Sequence, residues 1–269
     1  MRKTIALVSA ATLGALLAGS PPRAQAPGSA SKADASHPDL QGDWVSQGRG
    51  PGGGGPPRPG RPPGQGGPPG GGPPGGGPPR GFPPGAGGPP GGGSRPQPSA
   101  AGIAAAKGYE QPFDDPAIKC DIANIIFGWT HDENVNAITQ TGDTITLQYG
   151  YMDFVRTIHM TGGHPKTLPL TRAGHSIGTW EGDTLVVDTV GLVAGVLIPI
   201  NGVKFSSQAH VVERFTVDAR AKTLTRAYTF EDPMYLEQPF TGRDVMAASR
   251  DPYTPYECVE LSGDNNRRK

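Results

Sequence analysis

His175-Ser176-Ile177-Gly178-Thr179-Trp180-Glu181-Gly182-Asp183-Thr184-Leu185-Val186-Val187-Asp188-Thr189 divides at Glu181-Gly182-Asp183 into two short runs, 176–180 and 184–189. In the second run Leu185 and Val187 recur every two residues, the period of a half-buried strand, and the Gly-Asp step between the runs is turn chemistry. The segment therefore reads as a β-hairpin. The same pattern repeats on both sides of it. Residues 135–139 and 144–149 flank Gln140-Thr141-Gly142-Asp143, and residues 208–217 and 223–231 flank Asp218-Ala219-Arg220-Ala221. Residues 154–160 form a further strand ended by Thr161-Gly162-Gly163. Six to nine strands joined by short turns, with no long helical period, predict an all-β antiparallel meander. Such a sheet removes its unpaired edges by closing into a barrel, with a sandwich as the second choice.

Working outward, residues 48–98 hold 23 Gly and 18 Pro, a composition that cannot bury a core or sustain a sheet ladder. The Pro-Pro pairs recur every five residues, not every three, which excludes a collagen helix. Residues 47–100 are read as a disordered spacer. It carries Arg49, Arg58, Arg61, Arg80 and Arg95 without an acidic residue; a solvated linker is the favoured reading, and weak contact with an anionic envelope surface the second. Ahead of it, residues 37–46 supply the first strand, and Gly42-Asp43-Trp44 resembles the G-x-W opening of lipocalin-like barrels. The barrel domain spans 101–262, followed by a polar tail at 263–269.

Arg2 and Lys3, the apolar run 4–18 and Ala24-Gln25-Ala26 have the order of a secretory signal peptide over residues 1–26. The expected location is periplasmic or secreted. No later stretch reaches ~20 apolar residues, so no membrane span is expected. Removing Arg2, Lys3 and Arg23 from 24 basic residues leaves 21 against 24 acidic, a net of −3, which excludes a nucleic-acid partner. In an oxidising compartment the two cysteines, Cys120 and Cys258, read as one disulfide.

Several strands mix ionisable with apolar residues. Arg156 shares a face with Ile158, Glu213 with Val211 and Phe215, and Arg226 with Leu224, Tyr228 and Phe230. Charges on an inward face must be paired, so they predict a polar cavity floor. The candidate catalytic set is His175, His210, Asp188, Glu213 and Arg156: a histidine–carboxylate pair for proton transfer and an arginine to hold negative charge. Tyr149, Tyr151, His159, Ser176, Trp180, Arg226 and Tyr228 are the candidate ligand contacts. Gly174-His175-Ser176-Ile177-Gly178 matches the G-x-S-x-G nucleophile elbow, but that motif works at a strand-to-helix turn and here a strand and hairpin follow. His159, His164 and His175, or His131-Asp132-Glu133, fit no standard zinc spacing, so neither metal nor other cofactor is expected.

Residues 175–189 resemble the signature of a large, mostly uncharacterised family of secreted bacterial β-rich proteins. The likeness extends through Pro38-Asp39-Leu40-Gln41-Gly42-Asp43-Trp44, Lys119-Cys120, Arg156-Thr157-Ile158-His159-Met160, Gly163-His164-Pro165, His210-Val211-Val212-Glu213-Arg214-Phe215, Glu231-Asp232-Pro233 and Tyr256-Glu257-Cys258. It implies a single β-rich domain closed by the Cys120–Cys258 bridge, and implies no reaction. Two functions are expected to compete: a barrel that binds a small apolar or aromatic molecule, with residues 192–200 at its mouth or at a partner contact, and a cofactor-independent lyase, dehydratase or isomerase acting on a small aromatic substrate. An envelope-associated structural domain is the third.

Overall fold

The computed structural model describes residues 37–46 and 94–260. The signal-peptide segment, most of the Gly/Pro-rich spacer and the polar tail lie outside the described residues. The strands are β1 (Gly42–Ser46), β2 (Val135–Gln140), β3 (Thr144–Gln148), β4 (Val155–His159), β5 (His175–Glu181), β6 (Thr184–Val190), β7 (Gly195–Ile198), β8 (Val203–Phe205), β9 (His210–Asp218), β10 (Thr223–Glu231) and β11 (Phe240–Ala248). Nine of them close a barrel in the order β1-β11-β10-β9-β6-β5-β4-β3-β2, and β7 and β8 form a separate two-stranded sheet. The barrel therefore replaces the sandwich alternative. It is mixed rather than a pure meander, because β4 and β5 run parallel, with Ile158 opposite Ser176. The chain between them, residues 160–174, returns along the barrel instead of turning tightly. Only two short α-helices occur among the described residues, α1 (Ala100–Ala106) and α2 (Gln111–Asp114), and no described helix is long and apolar enough to cross a membrane.

Each hairpin read from the sequence is present. The loop after β9 is held by Asp218, whose carboxylate accepts from the Arg220 and Ala221 amides at 2.9 and 2.8 Å. The spacer boundary drawn at residue 100 falls late. Ser94 exchanges backbone and side-chain hydrogen bonds with Thr241, and Ser99 caps α1 while its hydroxyl donates to the Met234 carbonyl at 2.8 Å. Composition hides this, because Pro98 and its neighbours dock by main-chain pairing and caps, not by apolar burial.

Strand alternation sends Leu40, Trp44, Ile138, Ile145, Leu147, Ile158, Leu185, Val187, Phe215, Leu224 and Met246 into one core cluster. A segment with no strand period, residues 120–133, enters the barrel and adds Trp129, which meets Tyr149 and Phe215 edge-on. Polar contacts hold the backbone of this plug. The Tyr149 hydroxyl donates to the Ile125 carbonyl at 3.0 Å. The Asn124 amide donates to the Val196 and Leu197 carbonyls, and its oxygen accepts from the Ile126 and Phe127 amides. The apolar run 192–200 is mostly turned inward, with Leu192 and Leu197 buried against Ile125, Phe205 and Phe230, while Ile200 is exposed.

Cys120 and Cys258 are bonded, with Cα atoms 5.7 Å apart and 138 residues between them. Replacing both with Ser lowers the urea unfolding free energy by about 2–4 kcal/mol, since the bridge restrains a long loop of the unfolded chain. A change under half a kcal/mol would show that the C-terminal segment is held without it. A second tie lies nearby. The Asp153 carboxylate accepts from the Tyr253 hydroxyl and from the Tyr256 and Glu257 amides, the amides at 2.8 and 3.3 Å. Burial pushes this carboxyl up, and these hydrogen bonds outweigh it, so its pKa lies below the ordinary 3.8. A depressed carboxylate contributes stability that is complete above its unfolded value and lost as pH falls through the folded one. Protection of the Tyr256 and Glu257 amides from hydrogen exchange, taken relative to free-peptide rates, is therefore high above the ordinary carboxylate range and falls as pH drops below it. In Asp153→Ala protection is low throughout.

Candidate functional site

Alternation splits the expected site residues between the two surfaces of the barrel wall. Arg156, Ser176, Glu213, Arg226, Tyr149 and Tyr228 are buried. His159, His175, Asp188 and His210 are half-buried on the opposite face of the same strands. The single convergent pocket anticipated for all of them is therefore two arrangements, one on each side of the sheet.

The inner arrangement is an ionic network. Arg156 Nη2 lies 2.5 Å from Glu213 Oε2, an ion-pair contact at an angle poor for a hydrogen bond, and the other carboxylate oxygen lies 3.3 Å from Arg226 Nη1. Arg156 Nε donates to Ser176 Oγ at 3.0 Å and Nη2 to Thr189 Oγ1 at 2.7 Å, and those two hydroxyls are 3.0 Å apart. Arg226 pairs with Asp244, and its Nη1 and Nη2 donate to the Ile125 and Ile126 carbonyls of the plug. Two guanidinium and two carboxylate groups leave the network formally neutral. Burial pulls the Arg156 guanidinium down and Glu213 more than offsets this; for Arg226, Asp244 does so first and Glu213 second. Both stay charged. Ser176 is thus a buried acceptor, not a nucleophile at an elbow. The space expected as a cavity floor is occupied by Arg156 and Arg226 themselves, which are among the largest fully buried side chains.

The outer arrangement is open to solvent. Register explains it: Ile177 opposes Asp188, Asp188 opposes Val212 and Glu231 opposes His210, so these positions line up across β5, β6, β9 and β10. Asp188 Oδ1 lies 2.8 Å from His164 Nε2, and Oδ2 lies 2.8 Å from His210 Nε2. His164 Nδ1 is 2.9 Å from His175 Nδ1, and His210 Nδ1 is 3.6 Å from Glu231 Oε2. His159 stacks on His175 with ring centres 5.0 Å apart. The result is one hydrogen-bonded chain, His175, His164, Asp188 and His210, with the Glu231 carboxylate as a charge beside its end.

Its electrostatics follow from its neighbours. His175 has its pKa lowered by burial, then by His164 and His159. Burial pushes the Asp188 carboxyl up, and hydrogen bonds from His210 and His164 outweigh that, leaving its pKa below the ordinary 3.8. An ionised Asp188 accepts N–H from both imidazoles, which places the proton of neutral His164 on Nε2. His164 Nδ1 is then an acceptor, His175 donates to it from Nδ1, and His175 Nε2 is left as a lone pair.

His164 and Glu231 were absent from the candidate set. His164 sits in the loop after Gly162-Gly163, where no period signals direction, whereas Glu231 was accessible from the β9–β10 turn register. Thr189 and Asp244 complete the inner network and were also missed. Three expected ligand contacts serve elsewhere: Trp180 stacks on His37, Tyr151 on His131, and Tyr228 packs against Phe240. The Asp132 and Glu133 side chains lie outside the described residues, and among those described no group of three or more His, Cys, Asp or Glu is arranged to hold a metal ion. No family model, curated protein or solved structure matches the chain.

Proposed function

We propose that the domain is an extracytoplasmic acid–base catalyst acting on a small molecule at the outer histidine–carboxylate cluster, by a lyase, dehydratase or isomerase type of reaction. The observation that carries this reading is Asp188 bridging His164 and His210 at 2.8 Å each, with His164 in turn 2.9 Å from His175. A carboxylate that sets the tautomer of one histidine, which orients a second, is the arrangement that general-base catalysis needs. In this reading His175 Nε2 accepts the substrate proton, and His210, with carboxylate oxygens near both ring nitrogens, returns one to the leaving or rearranging group. Substrate binds from solvent against the half-exposed face of β5, β6 and β9. The Cys120–Cys258 bridge and the resemblance of residues 175–189 to a secreted family support a periplasmic or secreted location.

The binding-protein reading placed an apolar or aromatic ligand within the barrel. The packed side chains of Trp129, Arg156, Arg226 and Phe215 support it less well than they support a structural interior. The test is a turnover screen of the chain from residue 27 onward against small hydroxylated and aromatic compounds, analysed by mass spectrometry. Consumption of a compound that stops in His175→Gln and in Asp188→Asn, both still folded, supports the catalyst. Consumption of none, with one compound bound and returned unchanged, rejects it in favour of the binder.

A further inference from the structure

Away from the histidine cluster, a cleft of about 480 Å³ opens between the α1–α2 segment and the β7–β8 hairpin. That volume is in the range of small-molecule sites, about 300–1,000 Å³. None of His159, His164, His175, Asp188, His210 or Glu231 lines it. We infer that this cleft binds a hydroxylated carboxylate of sugar-acid size, with Lys204 and Arg172 holding the carboxylate and Tyr109 and Asp115 the hydroxyl groups.

Tyr109 is the first reason. Its ring lies against the backbone of Gly202, where a Cβ would come within 2.2 Å of the ring and the φ of +69° already disfavours a side chain. The ring is therefore fixed, yet its hydroxyl is enclosed and has no hydrogen-bond partner. An enclosed hydroxyl without a partner costs roughly 1–3 kcal/mol, a cost that a ligand oxygen removes once the cleft side chains beside it shift to admit the ligand. Burial, with Asp115 and Asp114 nearby, pushes its pKa up to about 12, so it remains an O–H donor.

The charged groups are the second reason. Lys204 Nζ stands 4.6 Å over the Tyr109 ring, partly enclosed, with Asp114 as an opposing charge nearby. Arg172 spends Nε on Asp121 at 2.7 Å, which orients the guanidinium and leaves its outer nitrogens for a carboxylate. Lys107 and Lys119 line the same cleft, as do Asp114 and Asp121, so the cations outnumber the carboxylates by one. Asp115 Oδ1 accepts from the Ala117 amide at 3.1 Å, leaving Oδ2 as an acceptor. Cations with donor atoms still open, beside a carboxylate acceptor and a hydroxyl donor, complement a ligand that carries both a carboxylate and hydroxyls. A plain anion would use only half of them.

Isothermal titration with D-galacturonate tests this on the full chain. Saturable binding is expected, weaker by about tenfold or more for methyl galactoside, which lacks the charge, and for benzoate, which lacks the hydroxyls. Lys204→Met and Arg172→Gln each weaken galacturonate by about tenfold or more, since each removes a charged hydrogen bond. Tyr109→Phe keeps the ring against Gly202 and weakens it several-fold, and it carries the test if a charge variant fails to fold. His175→Gln leaves binding unchanged, which separates this site from the proposed catalytic one. No saturable binding of galacturonate, or binding that survives all three cleft variants, overturns the inference.

Discussion

Glu213→Gln lowers the unfolding free energy by about 3–5 kcal/mol, the cost of leaving a buried charge without its partner. Its side chain is fully enclosed, as are those of Arg156 and Arg226. Arginine cannot shed its proton to escape, so the substitution leaves one uncompensated positive charge inside the barrel. Arg226 keeps Asp244, but Arg156 keeps only the neutral hydroxyls of Ser176 and Thr189. The melting temperature falls by roughly 10 °C or more, at about 2–4 °C per kcal/mol for a domain of this size. Arg156→Met combined with Glu213→Gln removes the pair together and recovers much of the loss, because an apolar replacement needs no counter-charge. Equilibrium urea unfolding of the two single variants and the double variant measures that coupling. If Glu213→Gln costs less than ~1 kcal/mol, the carboxylate is not compensating the arginines and the network is not what organises the interior. Its consequence reaches the plug, since Arg226 also holds the Ile125 and Ile126 carbonyls.

This network was half-legible in the sequence. Period-two alternation places Arg156 with Ile158, Glu213 with Val211 and Phe215, and Arg226 with Leu224, and the structure keeps all three inside. The same rule also separates Glu213 from Asp188: Val187 opposes Glu213 across β6 and β9, so Asp188 must point the other way. Of the histidine–carboxylate pairs open to the sequence, those with Glu213 mix the two faces and those with Asp188 do not, a distinction that pairing register makes. Other features had no local signal. β6 and β9 are neighbours only because β7 and β8 leave the barrel between them, and a sequence of hairpins does not reveal that excursion. β11 carries Gly242, Arg243 and Asp244 in place of a clean alternation. Its glycine is needed because a Cβ there would meet the Tyr228 hydroxyl at 2.2 Å. His164 arrives from the long return between β4 and β5, where direction depends on tertiary packing.

His175→Gln lowers turnover of the substrate found by screening by about 10²–10⁴-fold while leaving the melting curve in place, the range associated with loss of a general base. The pH dependence gives the sharper test. His175 must be neutral to accept a proton, and its pKa lies below the ordinary 6.5 because of burial and the adjacent His164 and His159 rings. The acid limb of kcat/KM therefore falls below pH 6.5, with activity rising as pH rises through it. His164→Gln removes one of the neighbours that depress His175, so the limb moves up toward 6.5 as turnover drops. A glutamine can still accept from His175 Nδ1, so this variant loses less than His175→Gln. Asp188→Asn acts differently: its one amide oxygen accepts from only one of His164 and His210, and its amide nitrogen presents a donor to the other. With the nitrogen toward His164, that ring takes the tautomer with the proton on Nδ1, facing His175, and His175 Nε2 is no longer the lone pair. Its loss of turnover should approach that of His175→Gln, without a comparable loss in substrate affinity. A limb that stays put in His164→Gln, together with a mild Asp188→Asn, would mean that His175, His164, Asp188 and His210 are a surface hydrogen-bond chain with no catalytic use.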